Sequence, residues 1–221
     1  MARTSEARDG GGPLPVGLIA DIVGSRGLGD RSAAQDAIHD AFASAHAQVT
    51  PREPAWATVG DEFQAVYRSW RDAARATLHL LVGLPEGLRV RCGLGEGAIR
   101  DIEEGDRGPI QDGEGWLRAR EAVEEAARRG RRRGEVVSWF VGADEDRATA
   151  VNAHLLLRDH VVSRMKSRER RICAHLLAGG TQEQVAGRER ISQSAVSQAL
   201  HRSGAAALLE ADRLFAQGRT Q

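Results

Sequence analysis

The spacing of apolar residues predicts an alternation of strands and helices in the first half of the chain. Residues 16–23 form a nearly continuous apolar run of strand length, interrupted by the single charge of Asp21, which is typical of a central strand covered on at least one face. Two shorter strand-like runs flank Gly60, as expected for a tight hairpin. The predicted order is strand 16–23, helix 30–49, strand 54–59, strand 63–67, helix 70–82 and strand 88–95.

This order, β-α-β-β-α-β, predicts an α+β fold of the ferredoxin-like type, called a palm below: an antiparallel sheet with helices packed on one face. In this topology the third strand lies antiparallel beside the first. The start of the third strand, with Asp61 and Glu62, is therefore expected next to the end of the first strand, where Asp21 lies. The fold prediction thus brings two or three carboxylates to one end of the sheet.

Carboxylates this close repel one another unless a cation lies between them. Mg²⁺ or Mn²⁺ is the natural candidate, and because Mg²⁺ completes its shell with waters and phosphate oxygens, a purine nucleotide is the candidate ligand. The opposing interpretation is that Gly-Asp is only favourable turn chemistry. The predicted metal ligands are Asp21, Asp61 and Glu62, the predicted phosphate-binding residues are Ser25, Arg26 and Arg120, and the further predicted pocket residues are Gly60 and Asp112.

Beyond the fourth strand the pattern becomes less regular. The glycine-rich, acidic segment 97–115 is predicted to be a loop, and a helix with apolar residues on one side follows at 116–128. Residues 135–141 predict a fifth strand at the margin of the sheet. The predicted domains are a disordered leader at 1–15, the palm at 16–145, a linker helix at 146–165 and an all-α helix-turn-helix domain at 166–221.

The last of these domains has the spacing of a DNA-binding helix-turn-helix. Thr181 and Gln184 predict a capping box at the start of a short helix, and a second helix with small apolar residues on its inner side begins near residue 193. Polar side chains on the outer side of such a helix reach base edges and phosphates in a major groove. A plain three-helix interaction module is the alternative. The predicted DNA-contacting residues are Gln193, Ser194, Ser197, Gln198, His201 and Arg202.

Charge is divided unevenly between the two parts of the chain. The sequence holds 31 basic and 31 acidic residues, but residues 163–221 carry ten Lys and Arg against five Asp and Glu. The basic tail favours a polyanion such as double-stranded DNA as a partner, and the acidic remainder favours cations.

Composition also narrows the cellular setting. No stretch approaches the length of a transmembrane helix, and residues 1–15 lack the apolar core of a signal peptide. A cytoplasmic protein that does not bind membranes is expected. Cys92 and Cys173 are far apart in sequence and lack the spacing of metal ligands, so they are predicted to be reduced and packed as small hydrophobic residues.

Four sequence motifs resemble the SatD family, a bacterial and phage group, across nearly the whole chain. They lie at 20–26 (ADIVGSR), 59–64 (VGDEFQ), 93–97 (GLGEG) and 112–122, where Asp-Gly is followed by a tryptophan and Ala-Arg-Glu-Ala. The resemblance implies the palm fold and leaves the biochemical activity open.

More distantly, the strand of Asp21 and the hairpin of Gly60 and Asp61 are similar to the palm of class III nucleotide cyclases and diguanylate cyclases, whose carboxylates hold two divalent ions. Leu117 and Glu121 fall where class III cyclases use an asparagine and an arginine. The tail resembles the last DNA-binding region of sigma-70-like factors.

Three functions are compatible with these features. The first is a homodimeric, DNA-binding transcriptional regulator whose palm binds a nucleotide with a divalent metal. The second is an enzyme, a nucleotide cyclase or nucleotidyltransferase that uses the same carboxylates for two-metal catalysis. The third is a palm that serves only as a dimerisation scaffold. Asp21 and Asp61 argue against the scaffold, while Leu117 and Glu121 argue against the enzyme.

Overall fold

The computed structural model describes residues 13–25, 29–58, 61–105, 108–133 and 136–218. The strands are β1 (Val16–Ile22), β2 (Glu53–Ala57), β3 (Glu62–Tyr67), β4 (Val90–Glu96), β5 (Arg100–Gly105), β6 (Gly108–Asp112) and β7 (Ser138–Val141). The helices are α1 (Arg31–Gln48), α2 (Trp70–Gly83), α3 (Glu114–Arg133), α4 (Glu145–Arg164), α5 (Ser167–Leu177), α6 (Gln182–Glu189), α7 (Gln193–Ser203) and α8 (Ala205–Gln217).

The main sheet has five strands in the order β2-β3-β1-β4-β7. Strand β1 pairs antiparallel with both β3 and β4, and β2 pairs antiparallel with β3. Strand β7 joins the margin of the sheet parallel to β4. The first four strands have the ferredoxin-like order, so the predicted α+β palm is confirmed, as is the strand predicted at its margin.

Successive residues of β1 point to opposite faces of the sheet. Leu18 and Ala20 lie in the main core with apolar residues of α1, α2 and α4. Ile19 points the other way and packs with Ala119 and Val123 of α3. The predicted layer of helices on one face is present, and α3 covers part of the second face.

Two glycines of β4 allow α3 to lie directly on the strand. A Cβ atom at Gly93 would lie 2.3 Å from the backbone nitrogen of Val123, and one at Gly95 would lie 2.1 Å from that of Ala119. Any side chain at these positions would hold the helix away from the sheet. The Gly-Leu-Gly sequence of β4 therefore has a packing reason, and it sets how closely the side chains of α3 approach the sheet.

Helix α4 caps the outer edge of β7 with two polar side chains. The Asn152 side chain accepts the N–H of Phe140 and donates to its carbonyl oxygen, each at 2.8 Å. Asp159 Oδ2 accepts the N–H of Ser138, also at 2.8 Å. An uncovered edge strand presents unpaired backbone groups that invite pairing with another chain. The α4 side chains satisfy these groups within the chain.

Helix α4 also buries a complete guanidinium group in the core. Arg158 is 1 % exposed, and it donates to Thr77 Oγ1 at 2.8 Å, to Ser138 Oγ at 2.5 Å and to Asp159 Oδ1 at 2.8 Å. A buried charge is tolerated only when it is paired and hydrogen-bonded in this way. Through Arg158, the helix predicted as a linker contacts α2 and β7.

The C-terminal helices pack against α2 of the palm. Asp212 of α8 bonds to Arg75 Nε at 3.0 Å and to His79 Nε2 at 3.2 Å, and the three side chains are at most 11 % exposed. The ring of Phe215 meets that of Trp70 edge-on, with 5.3 Å between their centroids. The predicted domain limits stay a prediction, and the contact between the two parts is buried and specific.

The segment predicted as a loop contains a two-stranded sheet. Strands β5 and β6 pair antiparallel, from Arg100 opposite Asp112 to Gly105 opposite Gly108. The side chains of β5 are almost all exposed, so no alternation of apolar and polar residues marks the strand in the sequence. The loop prediction for residues 97–115 was wrong for this reason.

Two smaller predictions concern the thiols and the membrane. Cys92 and Cys173 are both buried and free, as predicted. Within the ranges that the structure describes, no helix combines the length and the apolarity needed to span a bilayer.

Candidate functional site

Three residues on neighbouring strands form a row across the palm sheet. Asp21, at the end of β1, is the register partner of Glu62 on β3 and of Arg91 on β4. Directly opposed residues of neighbouring strands point to the same face of a sheet. Asp21 shares its face with Ile19, which α3 covers, so the row lies beside this helix.

An arginine holds each of the two paired carboxylates. Arg91 Nη1 donates to both carboxylate oxygens of Asp21, at 3.1 and 2.9 Å. Arg120 of α3 makes a bidentate pair with Glu62, at 2.7 and 2.9 Å. We call Asp21, Glu62, the adjacent Asp61 and these two arginines the carboxylate row. Its side chains are partly open to solvent, with 34 % of Asp21 and 17 % of Glu62 exposed.

At Asp21, the effects that raise the pKa of the carboxyl group exceed those that lower it. Burial raises the pKa of Asp21, the charge and hydrogen bonds of Arg91 oppose that rise, and the nearby carboxylates of Asp61 and Glu62 add to it. The pKa is raised overall, so Arg91 does not fully offset burial and carboxylate repulsion. A further cation beside Asp21 would favour its ionised form.

The chemistry of the carboxylate row suits a hard divalent cation, because Mg²⁺ and Mn²⁺ prefer oxygen ligands. Across the described part of the chain, however, no three side chains of the His, Cys, Asp and Glu types lie close enough together to hold a metal ion. Two of the three carboxylates are held by guanidinium groups instead. A cation would take Asp21 and Glu62 as ligands only after these ion pairs rearrange.

The other predicted site residues are more scattered. Ser25 lies partly exposed just after β1. Asp112 ends β6, where its Oδ1 accepts the N–H of Gly113 at 2.7 Å. Arg26 and Gly60 lie outside the described residues. The metal, phosphate and pocket roles assigned to all of these residues stay predictions.

A second candidate surface lies on α7. Arg190 follows the last residue of α6 with a left-handed φ of 55°, and Ser192 then caps α7 by accepting the N–H of Ala195 at 3.1 Å. A turn of three residues therefore joins α6 to α7, and the helix-turn-helix assignment stays a prediction. The predicted contact residues that are exposed are Gln193, Ser194, Gln198, His201 and Arg202, and Ser197 is half-buried.

The exposed Arg202 is already engaged within the chain. Its Nη2 donates to Glu169 Oε1 at 3.0 Å, and the Glu169 side chain is only 8 % exposed. Arg202 would have to leave this carboxylate in order to reach a phosphate.

The sequence profile of the SatD family matches residues 15–216. This chain belongs to the SatD family. The match spans both the palm sheet and the C-terminal helices, so the two candidate surfaces lie in one SatD-family unit. No curated protein matches the chain.

Three solved structures are similar to part of this SatD-family chain. A bacterial light-regulated adenylyl cyclase is 13 % identical, with 52 % of this chain and 71 % of that chain covered, at a TM-score of 0.41. The catalytic core of a rhodopsin-guanylyl cyclase with converted specificity, solved with ATPαS, is 17 % identical, with 49 % and 71 % covered, at a TM-score of 0.38. The adenylyl cyclase CyaB from P. aeruginosa is 14 % identical, with 48 % and 69 % covered, at a TM-score of 0.35.

Sequence reasoning missed Arg91, the most direct partner of Asp21 in this SatD-family chain. The alternation Leu-Arg-Val-Arg at 88–91 places two arginines on one side of the fourth strand. Which of them meets Asp21 depends on the register between β1 and β4, which sequence periodicity does not fix.

Proposed function

We propose that the carboxylate row binds a purine nucleotide together with Mg²⁺ or Mn²⁺ and supports transfer of its nucleotidyl group. One observation carries this proposal: the paired ends of β1 and β3 bring Asp21 beside Glu62, with Asp61 next in the chain. Burial and these neighbours raise the pKa of Asp21. A site that gathers carboxylates at a cost in free energy is typical of function more than of stability.

Each residue of the carboxylate row has a role in this proposal. Asp21, Asp61 and Glu62 would hold the divalent cation, and Gly60 stays a predicted pocket residue. When bound, the cation would offset phosphate charge and favour ionisation of an attacking hydroxyl. Positive side chains would orient the phosphates, because guanidinium groups match phosphate oxygens in pairs. The phosphate-binding residues of the proposal are Ser25, Arg26, Arg91 and Arg120.

The reaction class is attack of a hydroxyl oxygen on the α-phosphorus of a nucleoside triphosphate. A new P–O bond forms, the bond to the departing pyrophosphate breaks, and the hydroxyl proton passes to solvent or to a carboxylate of the row. A cyclase uses the 3′-hydroxyl of the same nucleotide, and a nucleotidyltransferase uses that of another molecule. On α3, Leu117 is apolar and 71 % exposed, so it offers no charge to stabilise the reacting phosphate. Arg120 of the same helix would supply positive charge there.

Incubation of the full chain with ATP or GTP and Mn²⁺, with products resolved by mass, tests this proposal. We expect a cyclic nucleotide or a nucleotidyl-transfer product with release of pyrophosphate. Asp61→Asn should abolish the product, whereas Asp40→Asn, an exposed change on α1, should not. Product formation that is equal in the two variants would contradict the assignment, as would its absence from the wild-type protein.

The predicted helix-turn-helix at α6 and α7 supports a second proposed function, binding of double-stranded DNA. Polar side chains line the outer side of α7, as in helices that enter a major groove. In this proposal the chain is a cytoplasmic transcriptional regulator, and the ligand state of the palm biases its DNA affinity. Regulators of this kind read two half-sites with two copies, so a homodimer is part of the proposal.

Fluorescence anisotropy of a labelled duplex, measured with the full chain at several salt concentrations, tests the DNA proposal. We expect binding that weakens as salt is added, because phosphate contacts release counterions. Arg202→Ala should weaken binding several-fold more than Arg213→Ala, which removes the same charge from the exposed side of α8. No binding at low salt, or equal losses in the two variants, would contradict a DNA surface on α7.

A further inference from the structure

The two arginines of the carboxylate row occupy positions that a bound cation would need. Arg91 Nη1 lies within 3.1 Å of both carboxylate oxygens of Asp21. Arg120 spans both oxygens of Glu62 within 2.9 Å, and Gln64 Nε2 adds a further bond to Glu62 Oε1 at 3.1 Å. The oxygens that would bind a cation are therefore already hydrogen-bonded to positive groups.

Charge explains why the row can be stable either with its arginine ion pairs or with a bound cation and nucleotide. In the described part of the row, three carboxylates face two guanidinium groups, which leaves one negative charge. A divalent cation that entered beside the arginines would compete with them for the same oxygens. A nucleoside triphosphate brings new anionic oxygens to the place where guanidinium groups are released, and arginine binds phosphate and carboxylate with the same bidentate geometry.

We propose that Arg91 and Arg120 exchange partners when ligand binds, moving from Asp21 and Glu62 to the phosphates of the nucleotide. This inference rests on the proposed function and adds a regulatory consequence to it. Because the same exchange frees the carboxylates for the cation and the guanidinium groups for phosphate, each ligand raises the affinity for the other by the same factor. The arginines make cation binding depend on the nucleotide.

Removal of an arginine should change the two affinities in opposite directions. In Arg91→Gln, the cation alone no longer competes with a guanidinium group at Asp21, so we expect Mn²⁺ to bind about twofold to fivefold more tightly, the size of effect typical of a partly exposed ion pair. The nucleotide loses a phosphate contact and should bind about tenfold more weakly. A purely structural role for Arg91 would weaken both.

The experiment measures three affinities for each protein. Mn²⁺ binding is followed by loss of the electron paramagnetic resonance signal of free Mn²⁺, with and without α,β-methylene-ATP or α,β-methylene-GTP, whose α–β bridge resists nucleotidyl transfer. Nucleotide binding is followed by calorimetry. Arg120→Gln is the second variant, since Arg120 is half exposed on α3 and its removal should not impair folding. Arg89→Gln, an exposed neutralisation before β4, is the control.

The exchange is supported if either variant binds Mn²⁺ alone more tightly, binds the nucleotide analogue more weakly and shows less coupling than Arg89→Gln. It is overturned if wild-type protein binds both ligands and both variants lose affinity for Mn²⁺ alone or keep full coupling. If wild-type protein binds neither Mn²⁺ nor an analogue, the proposed function fails and the exchange fails with it.

Discussion

Replacing Gly93 by alanine tests the close contact between β4 and α3 that places Arg120 against Glu62. The added Cβ atom would lie 2.3 Å from the backbone nitrogen of Val123 and 2.4 Å from the carbonyl oxygen of Ala119. Favourable non-bonded contacts of a carbon atom begin at about 3.5 Å. The helix would therefore have to move away from the strand by about 1 Å.

The free-energy cost of moving α3 depends on which atoms clash with the added Cβ. Overpacking a well-filled core costs about 1 to 3 kcal/mol, and more when no rotamer change can relieve it. Both clashing atoms belong to the backbone of α3, so no side chain can turn aside. Movement of α3 would also open a gap beside Ala119 and Ala126, which are fully buried. We expect the free energy of unfolding to fall by about 3 kcal/mol.

Urea unfolding followed by circular dichroism measures this change. For a chain of this size the slope is about 2 to 3 kcal/mol per molar urea, so the midpoint should fall by about 1 M. Gly187→Ala is the control, because no atom lies within 4 Å of the added Cβ in α6 and alanine favours a helix by up to about 1 kcal/mol. An unchanged midpoint for Gly93→Ala would refute the contact.

Three further predictions concern Asp212, Asp21 and the two thiols. Asp212→Asn should lower the free energy of unfolding by about 2 kcal/mol, because the buried Arg75 loses its counter-ion and the buried His79 loses a carboxylate partner, whereas the exposed Glu210→Gln should leave the urea midpoint unchanged. Burial acts to raise the pKa of Asp212, but the hydrogen bonds from its histidine and arginine partners lower it overall; its stabilisation should therefore be present above the unfolded pKa of about 3.9 and lost as the pH falls through the lower folded pKa. Burial raises the pKa of Asp21, so Asp21→Asn should be at least as stable as wild type at neutral pH, and any such gain should vanish below about pH 3.9, where the wild-type group is protonated in both states. Burial raises the pKa of Cys92 and of Cys173 to about 12, so an aromatic disulfide reagent should label neither thiol at neutral pH until urea unfolds the protein.

The sequence alone predicts which strands are neighbours at the centre of the palm sheet. The order of strands and helices predicts which strands are neighbours, and this places the end of β1 beside the start of β3. Asp21 therefore meets Glu62 in the structure as expected.

Features that depend on register or on contacts between elements were not predictable. Arg91 reaches Asp21 because of the pairing of β1 with β4, and a shift of one residue would turn it to the other face. Asn152 and Asp159 cap β7 through side chain to backbone bonds, which leave no periodic pattern. Strand β5 is almost fully exposed, so its sequence lacks the alternation by which a half-buried strand is recognised.

The most direct test of a cation and nucleotide site at the carboxylate row is a Mn²⁺ titration in the presence of α,β-methylene-ATP or α,β-methylene-GTP, followed by the signal of free Mn²⁺. Wild-type protein and Asp40→Asn should bind Mn²⁺ with the same affinity, and Asp21→Asn and Asp61→Asn should each weaken it by about tenfold or more. Equal Mn²⁺ affinity in all four proteins would contradict the site.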